Sequence, residues 1–183
     1  VLGPEQSGFM LSVGYDMYLR LLEEAVLTEQ GQTVEKPAGC SADLSVSANI
    51  PDRYVPSAEQ RMDLYRRIAA IRSESDADDL VDELIDRYGE PPRPVNNLIS
   101  VALLRCAASS AGITDISQKA GCLLFSMPKF DLAAVSALCA SSKYKGRLLF
   151  AAGDKPYLSL RLRKGEDPLK AAQQVVDDHG KED

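Results

Sequence analysis

The sequence holds a single histidine, His179, close to the end of its 183 residues. The common acid–base and nucleophile–base pairs therefore lack their usual base. No G-x-x-x-x-G-K-[ST] loop is present to cradle phosphates, and no G-x-G-x-x-G follows a strand. H-E-x-x-H and G-x-S-x-G are also missing. The four cysteines, Cys40, Cys106, Cys122 and Cys139, are far apart and form no Cys-x-x-Cys. A zinc site needs clustered ligands, so reduced, buried thiols are expected instead. No apolar run approaches the roughly 20 residues of a membrane helix. Val1-Leu2-Gly3-Pro4-Glu5 has neither the basic region nor the apolar stretch of a signal peptide. The chain starts at Val1 rather than Met and is expected to be a piece of a longer protein. Adjacent carboxylates such as Glu23-Glu24 and Asp78-Asp79 point about 100° apart on a helix, so neither pair converges on one atom. An independent active site is not expected.

What is present favours a folded, charged domain. Apolar residues make up 45% and charged residues 26%, enough for a core under a wet surface. The net charge of −6 speaks against a nucleic-acid clamp built from the whole chain. The charge is unevenly spread. Eight acidic residues and one basic residue, Arg87, lie between Glu74 and Glu90. Eight basic and three acidic residues lie between Lys143 and Lys170. Such polarity can mark surfaces that meet oppositely charged partners. Tyr65-Arg66-Arg67 and Lys143-Tyr144-Lys145 interleave aromatic and basic groups, as nucleic-acid binders do. Tyr65, however, belongs to an apolar helical stripe.

Glycine and proline mark residues 3–8 as a loop. Tyr15, Tyr18, Leu22 and Val26 then form an apolar stripe, which predicts a helix over residues 15–29. Residues 30–41 read as a linker. Leu44, Val46, Ala48 and Ile50 alternate with polar residues and predict a half-buried strand. Ser57 and Gln60 have capping-box spacing for a helix over 58–72. Ala77, Leu80, Val81, Leu84, Ile85 and Tyr88 predict a helix over 76–88, stopped by Gly89. A third helix is expected from Pro94 to Gly112. The period then changes. Strands are expected over 113–116 and 123–127, a helix over 130–140, and a hairpin from 148–151 and 157–163. Asp167 and Pro168 open a last helix running to about His179. Helices and strands are partly segregated, so the expected class is α+β: a helix-rich domain with a small mixed or antiparallel sheet.

Several of these segments resemble one family. Leu2-Gly3-Pro4-Glu5-Gln6-Ser7-Gly8, followed by Val13-Gly14-Tyr15-Asp16-Met17-Tyr18 and Leu21-Leu22-Glu23-Glu24-Ala25, is similar to the end of the translocase module of bacterial transcription-repair coupling factors. Ile50-Pro51-Asp52, Tyr54-Val55-Pro56, Leu64-Tyr65-Arg66-Arg67-Ile68-Ala69 and Glu83-Leu84-Ile85-Asp86-Arg87-Tyr88-Gly89 resemble the C-terminal domain of that family. The match runs from residue 2 to about residue 112 and then fades.

The resemblance implies two parts: residues 1–33 as the end of the translocase module and residues 34–183 as the regulatory domain. It implies a cytoplasmic bacterial parent whose upstream motor uses ATP and Mg, while this part carries no cofactor and meets no membrane. That parent would push stalled RNA polymerase along double-stranded DNA and recruit the damage-recognition ATPase of excision repair. Its C-terminal domain would act as a brake, packing on the N-terminal repair-recruiting domain of the same protein. Gln6 matches the family's motor-coupling glutamine. Glu83, Asp86 and Arg87 would form an interdomain lock. By spacing alone, Glu83 and Asp86 read as solvating charges, or Asp86 as a neighbour for Arg87; the resemblance gives them the lock role. The other function class is a free-standing nucleic-acid-binding module.

Overall fold

The computed structural model describes residues 39–181. Gln6, the 15–29 helix and residues 30–38 of the linker lie outside them. The described residues form five helices and a five-stranded mixed sheet, so the α+β class holds. They divide into two compact units, one holding Val46–Leu103 and the other Gly39–Ser45 with the chain from Leu104 onward.

In the first unit, helix α1 (Ala58–Ala69) begins where the sequence places it, because the Ser57 hydroxyl accepts the Gln60 amide. Helix α2 (Glu74–Tyr88) starts two residues earlier than expected: Ser73 takes the cap and accepts the Asp76 amide at 3.1 Å. Gly89 ends α2 with φ +84° and ψ −172°, a region open essentially to glycine alone. Helix α3 (Arg93–Ser110) follows the Pro91-Pro92 stop, and its residues from Leu104 onward belong to the second unit. Leu64, Tyr65, Ile68 and Ile71 meet Ala77, Leu80, Leu84, Val95, Leu98 and Ile99 in one core. These are the spacings that put apolar side chains on a single helical face.

The strand expected over 44–50 does not form. Leu44, Ala48 and Ile50 are buried between exposed or half-buried neighbours, so the alternation of burial is real. The backbone groups of this stretch find other partners. Asn49 N–H donates to the Pro94 carbonyl, Ile50 N–H to the Tyr65 hydroxyl at 2.9 Å, and the Asn97 amide to the Ser47 carbonyl. Period-2 burial needs only an extended chain over a core, whereas a strand also needs a neighbouring ladder.

The second unit contains the sheet. Its strands are β1 (Ser41–Asp43), β2 (Asp115–Lys119), β3 (Cys122–Ser126), β4 (Leu148–Ala151) and β5 (Tyr157–Arg161), in the order β1-β2-β3-β5-β4. Only the β1–β2 pair is parallel. Thus β1 lies earlier in the chain than expected, and β2 is displaced toward the C-terminus. The β2–β3 turn is Ala120-Gly121, both at positive φ, as a two-residue hairpin requires. Ile116, Phe125, Leu158 and Phe150 form one cross-strand row, and Leu123, Leu160 and Leu148 the next. Helix α4 (Leu132–Ala140), capped by Asp131, packs on β4 and on helix α5 (Pro168–Gly180), capped by Asp167. Val135 and Leu138 of α4 and Ala172, Val175 and Val176 of α5 are buried. His179 is half-buried, with its Nδ1 enclosed and unbonded among the described residues. All four cysteines are free thiols; Cys40 is buried and the other three half-buried. No helix of the described residues is long and apolar enough to cross a membrane.

Candidate docking surface on the second helix

The apolar stripe of α2 fixes what its other faces present. With Ala77, Leu80 and Leu84 buried, a turn of 100° per residue sends Asp79, Asp82 and Asp86 to the opposite side. All three are exposed, as are Glu74, Asp76 and Asp78. Ile85, 38% exposed, is the one large apolar side chain on α2 that reaches that surface.

Glu83 and Asp86 lie three residues apart and have different environments. Glu83 sits on the flank of the stripe, half-buried, and its carboxylate meets the Arg67 guanidinium of α1 in an ion pair. Asp86 is exposed and carries no ion pair within the described residues. Arg87 is exposed, with its guanidinium 5.1 Å from the centre of the Tyr88 ring. Tyr88 in turn lies 5.7 Å from Tyr54 at 56°. The Tyr88 hydroxyl donates to Gln60 Oε1 at 2.9 Å, and the Tyr54 hydroxyl donates to the Gly89 carbonyl at 2.8 Å. Burial pushes the Tyr54 phenol up, and the charges of Glu90 and Tyr88 add to the effect. Tyr54 therefore stays neutral, and the aromatic pair gives Arg87 a stacking platform at the end of α2.

The surface thus combines an acidic row, one exposed Ile and a guanidinium resting on a bonded aromatic pair. It suits a partner with basic groups around an apolar contact. The sequence points to Glu83, Asp86 and Arg87, and not to Arg67, Tyr54 or Gln60, which the fold sets beside them. Arg67 is separated from Glu83 by a full helical hairpin, which local spacing does not reveal. Tyr88 reads as the end of the α2 stripe and Tyr54 as part of Tyr54-Val55-Pro56, and nothing in their spacing brings the two rings together. Among the described residues, no group of three or more His, Cys, Asp or Glu is placed to hold a metal ion.

Residues 44–136 match the family model described as TRCF domain. The chain belongs to the TRCF domain family. Its curated relatives include the transcription-repair-coupling factor of Mycobacterium bovis, 43% identical over 128 residues, an alignment covering 64% of this chain and 10% of that protein. The Escherichia coli K12 relative of the same name is 34% identical over 140 residues, covering 68% of this chain and 12% of its own length. That of Bacillus subtilis is 33% identical over 119 residues, with 64% and 10% covered. The chain therefore spans about a tenth of the length of these relatives. A solved structure, "Crystal structure of C-terminal domain of transcription-repair coupling factor", superposes with a TM-score of 0.67 at 18% identity. It covers 79% of this chain and 95% of that one. The two share the α+β fold of the TRCF domain.

Proposed function

We propose that this TRCF domain is the non-catalytic regulatory end of an ATP-dependent DNA translocase that couples transcription to excision repair. In this reading the motor, with its ATP and Mg, lies upstream. The parent works in the bacterial cytoplasm on double-stranded DNA and stalled RNA polymerase. The domain docks on the parent's own N-terminal repair-recruiting domain through the outward face of α2. While docked, it masks the surface that would recruit the damage-recognition ATPase.

The observation that supports this reading is the arrangement of α2. Asp86 and Arg87 stand exposed on a helix whose other side is fixed by the core and by the Tyr54–Tyr88 pair. Charges carried on a rigid element need little ordering when a partner arrives. Exposed ion pairs contribute only about 0.2–1 kcal/mol each, which is weak for folding but suited to a contact that must release. Glu83 contributes from the flank, where Arg67 holds its carboxylate in place. Residues 1–33 would belong to the motor, with Gln6 linking ATP hydrolysis to DNA movement.

The test is a pull-down of the 183-residue chain with the N-terminal domains of its parent, beside a titration with duplex DNA. Capture by the N-terminal domains that weakens with salt, together with feeble DNA binding, is the expected result. Strong salt-dependent DNA binding without such capture would make the chain a nucleic-acid-binding module instead.

A further inference from the structure

The sheet of the second unit has two edges, and they differ. At one edge, β1 is three residues long and carries Asp43. At the other, β4 reads Leu148-Leu149-Phe150-Ala151, with no charge and no proline. Edge strands are normally blunted by such residues because their free backbone groups invite another strand.

The register identifies those groups. The Arg161 amide donates to the Arg147 carbonyl at 3.0 Å, so Arg147 and Arg161 are a bonded pair. In an antiparallel ladder every second residue repeats that role, which turns Leu149 and Ala151 toward β5 and Leu148 and Phe150 away from it. The Leu148 amide is taken by the Tyr144 carbonyl at 3.0 Å. The Phe150 N–H and C=O have no partner among the described residues.

Apolar side chains flank this bare backbone on both faces. Leu149 is 66% exposed, and on the opposite face Phe130 lies 4.7 Å from the Phe150 ring, with exposed Leu132 opening α4 two residues later. The charge around the edge is basic. Lys145 lies before β4, Lys155 after it and Lys129 beside Phe130; all three are exposed and outside any ion pair of the described residues. Of the nearby carboxylates, Asp131 is occupied capping α4 through the Ala133 and Ala134 amides, and Asp154 lies in the hairpin turn.

We propose that β4 is a receptor edge for an extended peptide of a partner protein, with apolar side chains at alternate positions and acidic residues at both ends. The peptide adds a sixth strand through Phe150 N–H and C=O. Its apolar side chains pack on Phe130, Leu132 and Phe150, and its acidic ends meet Lys145 on one side and Lys129 and Lys155 on the other. A second copy of this chain fits less well. Antiparallel self-pairing would set the Lys145 end of one copy against the Lys155 end of the other, and opposed like charges destabilise strand pairs.

The probe is a fluorescein-labelled peptide in which Val alternates with Thr between two pairs of Glu. It is titrated into the whole chain by anisotropy, with amide exchange followed by NMR. Saturable binding is expected, together with at least about tenfold slower exchange of the Phe150 amide. A version flanked by Lys should bind about tenfold more weakly, because it replaces attraction at both ends with repulsion. Leu149→Glu, at an exposed site that the fold does not need, should weaken binding to a similar extent with an unchanged circular dichroism spectrum. Absence of saturable binding, equal affinity of the Lys-flanked version, or no change at the Phe150 amide on saturation would overturn the proposal. So would protection of that amide that grows with protein concentration and needs no peptide, since the edge would then serve a second copy.

Discussion

Tyr65→Phe removes one oxygen from the core of the first unit and should cost more than its size implies. The Tyr65 side chain is 8% exposed, and its hydroxyl accepts the Ile50 amide at 2.9 Å in a buried site. Phenylalanine fills nearly the same volume, so the loss of apolar contact is small. What changes is that the Ile50 N–H is left buried without this acceptor. An unsatisfied buried donor costs about 1–3 kcal/mol. With a urea slope of about 2 kcal/mol per molar for a domain of this size, a 2 kcal/mol loss moves the midpoint down by about 1 M. Urea melts followed by circular dichroism give the midpoint, and native-state amide exchange gives the opening of Ile50 itself. The Ile50 amide should exchange faster by a factor close to that of the global change. An unchanged midpoint with a still-protected Ile50 amide would show that this hydroxyl does not anchor the 46–50 stretch.

Gly89→Ala should destabilise the first unit by about 1–3 kcal/mol, because a Cβ is strained at φ +84° and ψ −172° even though open space surrounds it; thermal melts against a surface Gly→Ala control would measure this. The second unit should have an acid limb set partly by Asp178. Burial would raise that carboxyl, but the hydrogen bonds from Lys143 and Tyr144, with the charges of Lys143 and Lys181, outweigh it and hold it below its ordinary 3.8. A carboxyl depressed in the fold stabilises fully above its unfolded value. That contribution is lost as pH falls below about 3.8 through the folded value. Asp178→Asn should therefore flatten this part of the stability–pH curve, and an unchanged acid limb would exclude the role. In the full-length parent, Gln6→Ala should impair translocation more than ATP hydrolysis; equal loss of both in paired assays would count against a coupling role.

Much of the fold could be read from residues whose physics is local. Ser57, Asp167-Pro168 and Gly89 mark helix ends by their own hydrogen bonds or backbone freedom, and α1, α2 and α5 begin or stop there. The hairpin expected from 148–151 and 157–163 forms as 148–151 and 157–161, with Gly153-Asp154 between its strands. The failures concern partners distant in sequence. Leu44, Val46, Ala48 and Ile50 signal a buried side, yet nothing in their spacing says that Pro94, Tyr65 and Asn97 would take up their backbone groups. Likewise β1 exists only because Ala42 meets Ile116 from far along the chain. On the α2 surface, the helical period puts Glu83 and Asp86 together on a solvated side; Asp86 is exposed, whereas Glu83 is half-buried against Arg67. The Arg67 clip on Glu83 and the Tyr54–Tyr88 platform under Arg87 required the tertiary structure.

The role of α2 as a releasable lock is tested most directly in the full-length parent carrying Glu83→Ala with Asp86→Ala. The readout is capture of the excision-repair damage-recognition ATPase in the absence of RNA polymerase. Loss of two or three pairs worth about 0.2–1 kcal/mol each should shift the closed–open balance by roughly tenfold and raise capture accordingly, with the melting temperature nearly unchanged. Arg67→Met, which breaks the same ion pair within the domain but keeps both carboxylates, should not reproduce that rise. Capture as weak as in the unaltered parent, with the fold of the double variant intact, would contradict the lock.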